Sequence, residues 1–351
     1  MNHYEQIQAQ LCKNPKRWLI TGAAGFIGSH LLEKLLRLNQ HVVGLDNFAT
    51  GSRRNLAAVQ GLVSADQWRR FEMIEGDIRE PKICQLACSH VDFVLHEAAL
   101  GSVPLSMAEP ICCHESNVTG FLNMLVAARD NRVARFVYAS SCAIYGNNPD
   151  VAKVETNIGR PLSPYAASKE INEVYAAAFS EAYGLGTIGL RYFNVFGPRQ
   201  DPKGPYAAVI PKWAESILNC EAVEIYGDGE TSRDFCYVEN VVQANLLAAT
   251  VKSSDAVNQV YNVAVGDRTT LNELFALIQA GLRALDPELP YQKCIYRDFR
   301  AGDVRHSLAD VSKAKRLLHY NPQYTTAGGL KLTLEWFTSS KPTAECSVCA
   351  K

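Results

Sequence analysis

Thr21-Gly22-Ala23-Ala24-Gly25-Phe26-Ile27-Gly28 stands between a short apolar run, 18–21, and a segment, 26–38, whose apolar residues recur at helical spacing. Strand, glycine turn and helix in that order meet a physical requirement. The first glycine permits the tight turn, the second lets backbone approach a pyrophosphate, and the third lets the helix pack closely on the sheet. The helix N-terminus adds free N–H donors and the positive end of its dipole. The spacing is GxxGxxG rather than GxGxxG. Its strand-to-helix context, with an acidic residue downstream, reads as a dinucleotide-binding turn.

That acidic residue is Asp46, which closes the second apolar run, 40–46. A carboxylate there accepts hydrogen bonds from the adenine-ribose hydroxyls and repels a 2′-phosphate, which favours NAD over NADP. Arg53 and Arg54 follow closely and read as solvated loop charges, with a phosphate-accepting role left open. The third run, 71–77, ends in Asp77-Ile78, placed to meet adenine. The fourth, 91–96, leads into Ala98-Ala99, placed for close approach to the cofactor.

Farther out, strands are expected at 135–141 and 187–192 and a helix at 117–129. Ser163 reads as an N-cap with Pro164 at the first helical position. A helix at 238–251 and a strand at 260–263 are placed to return to the main sheet. Alternating strands and helices imply an α/β fold, a Rossmann-type doubly wound parallel sheet. The rhythm breaks at Gly197-Pro198, Pro202, Gly204-Pro205 and Pro211, where a smaller mixed α/β substrate domain begins. The expected division is 17–190, rejoined by 237–265, against 191–236 and 266–340.

The helix opened by Ser163 carries Tyr165-Ala166-Ala167-Ser168-Lys169. Residues four apart share a helix face. A phenol has a reference pKa of about 10, and reaching about 7 takes roughly 3 units, or about 4 kcal/mol. A neighbouring cation favours the phenolate. Lys169 with a positive nicotinamide ring supplies that shift in this reading. Alone, YxxxK reads as an ordinary surface helix. With Ser141 and the glycine turn upstream, it reads as a general base beside a hydride acceptor.

The 351 residues carry a formal net charge of -1 and are 47% hydrophobic. The absence of basic excess argues against nucleic acid as a partner. No apolar run reaches membrane-spanning length. Residues 1–17 lack a signal-peptide core, so a cytoplasmic location is expected. The 11 cysteines are irregularly spaced, and Cys84, Cys88 and Cys236 sit in apolar patterns. They read as reduced thiols. Cys346-x-x-Cys349 lacks a second pair, and no metal is expected. No GxSxG elbow supports a hydrolase.

Nine motifs together resemble the extended short-chain dehydrogenase/reductases of nucleotide-sugar type: TGAAGFIGSH (21–30), GLDNFATG (44–51), GDI (76–78), HEAALGSVP (96–104), YASSCAIYG (138–146), SPYAASK (163–169), LRYFNVFGPRQ (190–200), YGDGETSRDFCYV (226–238) and RAGDVRHSLAD (300–310). The later motifs most resemble the UDP-N-acetylglucosamine 4-epimerases that serve surface polysaccharide synthesis. The resemblance implies Ser141, Tyr165 and Lys169 as the catalytic set. It implies cofactor contacts from Gly22, Gly25, Phe26, Ile27, Gly28, Asp46, Asn47, Asp77, Ile78, Ala98, Ala99 and Val195, with Tyr165 and Lys169 touching the cofactor too. It implies a UDP-sugar held by Ser141, Asn194, Tyr226, Arg233, Arg300, Asp303 and Ser307. Guanidinium groups suit the pyrophosphate because their fixed donors bind it bidentately. A small residue at Ser307, where glucose-only relatives carry Tyr, leaves room for an N-acetyl group. A homodimer is expected through the 117–129 and Tyr165 helices.

The implied reaction is a reversible oxidation at sugar C4 through a 4-keto intermediate. Related dehydratases and decarboxylases place carboxylates after the fifth strand, where this chain has Cys142-Ala143-Ile144. They stay as the enzymatic alternative, and a non-catalytic NAD-binding regulator is the second. The N-acetylhexosamine group usually has hydroxyls at Cys142 and Ala143 and an Arg at Leu105. These departures leave open the preferred UDP-sugar, including UDP-glucose and the uronic acid form.

Overall fold

β1 (Arg17–Thr21), β2 (His41–Asp46), β3 (Phe71–Glu75), β4 (Phe93–His96), β5 (Arg135–Ser141), β6 (Thr187–Tyr192) and β7 (Gln259–Val263) build one sheet of a computed structural model. The structure describes residues 1–202, 208–299 and 304–340. Arg300 and Asp303, expected to hold substrate, and the Cys346/Cys349 tail lie outside the described residues. The strand order is β7-β6-β5-β4-β1-β2-β3, and every pairing is parallel. The order reverses between β1 and β4, and a crevice at that switch point is where open α/β sheets bind ligands.

The helices used below are α1 (His3–Lys13), α2 (Phe26–Arg37), α3 (Val103–Ala108), α4 (Pro110–His114), α5 (Gly120–Asp130), α6 (Pro164–Tyr183) and α7 (Val238–Thr250). α6 begins where the sequence predicts. Ser163 Oγ accepts from Ala166 N at 3.1 Å, Pro164 opens the first turn, and Gly184 closes the helix at φ 69. α7 is apolar around most of its circumference and is buried along nearly its whole length, from Val238 to Ala249. A helix without a solvent-facing polar stripe belongs inside a core. β7 pairs with β6, so the chain does return to the main sheet after 238.

Two features depart from the sequence-based expectation. The polar N-terminal segment is a helix, α1, capped by Asn2 and Glu5, with Tyr4, Ile7 and Leu11 buried. Gln40 ties it down by donating to Leu11 O at 2.9 Å while accepting from Trp18 Nε1 at 3.2 Å. The helix expected at 117–129 starts much earlier. α4 runs through a π-helical turn, Glu115–Thr119, into α5.

One core packs α1, α2 and α7 against one face of the sheet. Residues 309–320 pack there too, through Ala309, Val311, Ala314, Leu318 and Tyr320, although their place in the sequence groups them with the smaller unit. A second core lies on the other face, between the sheet and α5 and α6. A third gathers Trp213, Ile225, Phe235, Ile278 and Leu334 from later segments. Among the described residues no helix is long and apolar enough to cross a membrane.

Candidate functional site

A cleft opens along the C-terminal ends of β1, β2 and β4. Gly22, Gly25, Phe26, Ile27, Gly28, Asp46, Asn47, Asp77, Ile78, Ala98 and Ala99 line it, as do Glu97, Cys112 and Ser116. The glycines are there for want of space. Gly22 has φ +71, and a Cβ on it would lie 2.9 Å from Ala98 N. A Cβ on Gly28 would lie 2.0 Å from Gly22 O. Gly25 caps α2 without any side-chain bond, so the first N–H groups of that helix keep no side-chain acceptor from the cap. Such a cradle fits the diphosphate of a dinucleotide.

Asp46 is fixed from both sides. Its carboxylate accepts from Ala24 N at 2.9 Å and from Phe48 N at 2.8 Å. Burial pushes it above its ordinary value, and those two bonds oppose the shift. Asn47 Nδ2 donates to Asp77 at 2.8 Å. Asp77 is held down at about 2, first by its hydrogen bonds from Arg79. The two carboxylates thus stand at the same end of the cleft, where an adenosine fits their chemistry.

β5 delivers Ser141 and α6 delivers Tyr165 and Lys169; these three and Val195 are not among the residues that line the cleft. The Ser141 hydroxyl accepts from Ala143 N at 3.1 Å. Lys169 is buried and donates to Ala139 O at 2.9 Å. Its Nζ lies 5.9 Å from the Tyr165 ring centroid. Burial pushes the Lys169 ammonium down to about 8. Burial pushes the half-buried Tyr165 phenol up to about 12, while the neighbouring Ser141 hydroxyl acts against the shift. Glu97 also acts to push the phenol up, while the Lys169 ammonium gives one hydrogen bond to Ala139 O. Desolvation outweighs what the residues alone supply.

The expected substrate residues fall on the segments that follow β6. Asn194 adopts φ 31, tolerable for an asparagine, and its amide donates to Asp234 O at 2.9 Å. Val195 opens the short strand Val195–Phe196, which pairs with Cys236–Tyr237. Arg233 donates to Ser232 O at 3.0 Å and to Arg305 O at 3.3 Å. Ser307 N donates to Ser232 O at 3.1 Å, so Arg233 and Ser307 meet at one junction. Tyr226 ends the strand Val223–Tyr226, its hydroxyl directed to Glu224 at 3.5 Å. Cys142 is half-buried against the first core, and burial pushes its thiol up. Leu105 lies half-buried in α3.

Three supports escaped the sequence reading. Asn117, in the π-helical turn, pairs with Leu100 by accepting from its N–H at 2.8 Å and donating to its carbonyl at 3.1 Å. It also donates to Ser168 at 3.2 Å, which joins the cleft wall to the Tyr165 helix. π-turns inside helices recur at functional sites, but nothing in the spacing of apolar residues announces one. Glu173 takes Ser140 Oγ at 2.6 Å and Arg191 at 2.7 Å, locking the end of β5 to α6 and β6. Glu97 accepts from Tyr192 Oη at 2.8 Å inside the cleft.

Residues 18–264 match the family described as NAD dependent epimerase/dehydratase. A putative UDP-glucose 4-epimerase of Methanocaldococcus jannaschii is 35% identical over 330 residues, 93% of this chain and 99% of the relative. UDP-N-acetylglucosamine 4-epimerase from Methanobrevibacter ruminantium M1, solved with UDP-N-acetylmuramic acid, is 38% identical with a TM-score of 0.84, covering 93% of this chain and 99% of that one. UDP-glucose 4-epimerase of Thermus thermophilus, solved with NAD, is 34% identical with a TM-score of 0.80, covering 93% of this chain and 100% of that one.

Proposed function

The chain belongs to the NAD-dependent epimerase/dehydratase family, and from that premise we propose that it interconverts UDP-N-acetylglucosamine and UDP-N-acetylgalactosamine by inverting C4. The observation that carries the reading is the meeting of Ser141, Tyr165 and Lys169 at the end of β5, beside the glycine-lined cleft. The cleft residues would hold NAD, the Gly22–Gly28 cradle its diphosphate, Asp46 its adenine ribose, Asp77 and Ile78 its adenine, and Lys169 on α6 would take its other ribose. When bound, NAD supplies a reversible hydride acceptor and a positive charge beside the phenol.

Tyr165 takes the proton of the sugar 4-hydroxyl and later returns it. Ser141 holds that hydroxyl in line. Lys169 offsets the negative charge that develops on the phenol. Asn194, Tyr226, Arg233, Arg300 and Asp303 hold the UDP end, so that the 4-keto sugar turns within the pocket without leaving. Positioning of this kind replaces a bimolecular encounter with an intramolecular one. Cys142, Ala143 and Ile144 offer no carboxylate for proton transfer at C5 or C6, which favours epimerisation over dehydration or decarboxylation. Ser307 supports the N-acetylated substrate through its small volume.

The test is a rate comparison on purified protein with UDP-glucose, UDP-N-acetylglucosamine and its uronic acid, with NMR of the products. Inversion at C4 with deuterium retained there supports the reading. Loss of water or carbon dioxide rejects it. Ser307→Tyr is expected to depress turnover of the N-acetylated sugars selectively, and equal loss on UDP-galactose removes the argument from size. Two chains pair through α5 and α6 in this proposal, since Leu122, Val126, Ile171 and the 64%-exposed Val174 lie on those helices without full burial.

A further inference from the structure

Asp234 is completely buried, and the proposed reaction does not use it. It follows the short strand Ser232–Arg233, which pairs antiparallel with Thr269–Thr270. Its carboxylate is held by backbone N–H groups. Oδ1 accepts from Val265 at 3.0 Å, and Oδ2 accepts from Gly266 at 3.0 Å and from Ala309 at 3.3 Å. Burial pushes the carboxyl up to about 6, with those three bonds acting against the shift. At neutral pH the group is therefore ionised and accepts without donating.

The donors belong to segments far apart in the chain. Val265 and Gly266 follow β7, where Gly266 turns the backbone at φ +82. Ala309 ends the strand Leu308–Ala309, just past Ser307. A further segment reaches the backbone of Asp234, whose carbonyl accepts from Asn194 Nδ2 at 2.9 Å. Beside it, Ser232 N donates to Arg305 O at 3.0 Å, and the Ser232 hydroxyl bonds His306 Nδ1 at 2.9 Å. One buried acid thus joins the end of the main sheet to the segments that carry Asn194, Arg233 and Ser307.

We propose that Asp234 is a positioning residue for the diphosphate end of the substrate: by gathering the N–H groups of Val265, Gly266 and Ala309, its carboxylate sets Asn194, Arg233 and Ser307 in one frame against the sheet that bears the cofactor cleft. The inference rests on the reading of those three residues as UDP-sugar contacts. A carboxylate suits the task because it has two acceptor oxygens and no donor. An asparagine has one acceptor oxygen and an NH2 that must face an N–H group. An apolar residue leaves all of the donors buried and unpaired. A guanidinium grips phosphate through a rigid fork, so a displacement of its strand by about 1 Å is felt in full.

Asp234→Asn is the informative change, since it keeps the volume and removes the charge and one acceptor. Asp234→Ser, smaller and with a single hydroxyl oxygen, serves if the Asn variant does not fold. The measurement is calorimetric titration of the NAD-loaded protein with UDP, alongside NAD content by absorbance after denaturation and steady-state kinetics. UDP affinity is expected to fall about tenfold while NAD content stays at the wild-type level. KM for the UDP-sugar rises with it and kcat changes less, the pattern of lost uniform binding. Unmoved UDP affinity in a folded Asp234 variant overturns the proposal. Equal loss of NAD content and UDP affinity also overturns it, because Asp234 then supports the fold at large. If Arg233→Ala binds UDP as tightly as wild type while the Asp234 variant does not, the positioning of Asn194 and Ser307 is upheld and Arg233 is rejected as a UDP contact. The expected UDP response in a protein that epimerises no sugar upholds the proposal and rejects the proposed reaction instead.

Discussion

Tyr165 shows how far one side chain depends on company. Its phenol stands at about 12 in its half-buried site, too high for a base at neutral pH unless further positive charge arrives. A positioned general base is worth about 10²–10⁴-fold. Tyr165→Phe is therefore expected to lower the epimerisation rate by about that factor while NAD content and melting temperature stay close to wild type; unchanged turnover would remove Tyr165 from the reaction. Gly28→Ala addresses the cofactor cleft. Its Cβ meets Gly22 O at 2.0 Å, so the turn must open, and the purified variant is expected to carry little NAD by absorbance after denaturation. The glycine turn, Asp46 and the Tyr165–Lys169 pair were legible because each obeys a spacing rule. Glu97 was not, because a single acid after an apolar run carries no period. Only strand register gives its direction.

At the scale of elements, β5 and β6 run over the predicted residues because both faces of each are buried and the apolar runs are unbroken. The N-terminal helix was hidden because its buried face needs only Tyr4, Ile7 and Leu11, among eleven mostly polar residues. The junction of β5, α6 and β6 is held by the Arg191–Glu173 pair, whose side chains are 3% and 13% exposed. Arg191 Nη1 also donates to Tyr145 Oη at 3.0 Å, and that hydroxyl donates to Asn262 at 2.6 Å. Removing one partner of a buried pair leaves the other uncompensated, at about 3–5 kcal/mol. Arg191→Ala should lower unfolding free energy by about that amount in a denaturant titration. A loss below about 1 kcal/mol would mark the pair as solvent-screened instead.

Across the whole molecule, the three cores divide the labour. Two clamp the sheet and so fix the cofactor cleft, and the third carries the segments that bear Tyr226 and the Arg233 junction. The division explains why the sugar end was less legible than the cofactor end. Short strands such as Val223–Tyr226 and Cys294–Arg297 pair across long stretches of chain, and no local pattern announces such a partner. The proposed pairing of two chains is tested by light scattering. Val174→Glu places a charge in the α5–α6 face, where desolvating it is unfavourable, and is expected to shift the mass toward a single chain. A wild-type mass of one chain would sink the pairing outright.

The edge strand β7 also bears on how the polypeptide emerges from the ribosome. β6 pairs with β5 on one side and with β7 on the other, but β7 is synthesised only after residues 193–258. During that interval the nascent sheet presents β6 with one side of its backbone unpaired, which is an invitation to foreign strands. Premature termination between Tyr192 and Gln259 would leave that border permanently open, and such fragments should precipitate or be captured by chaperones.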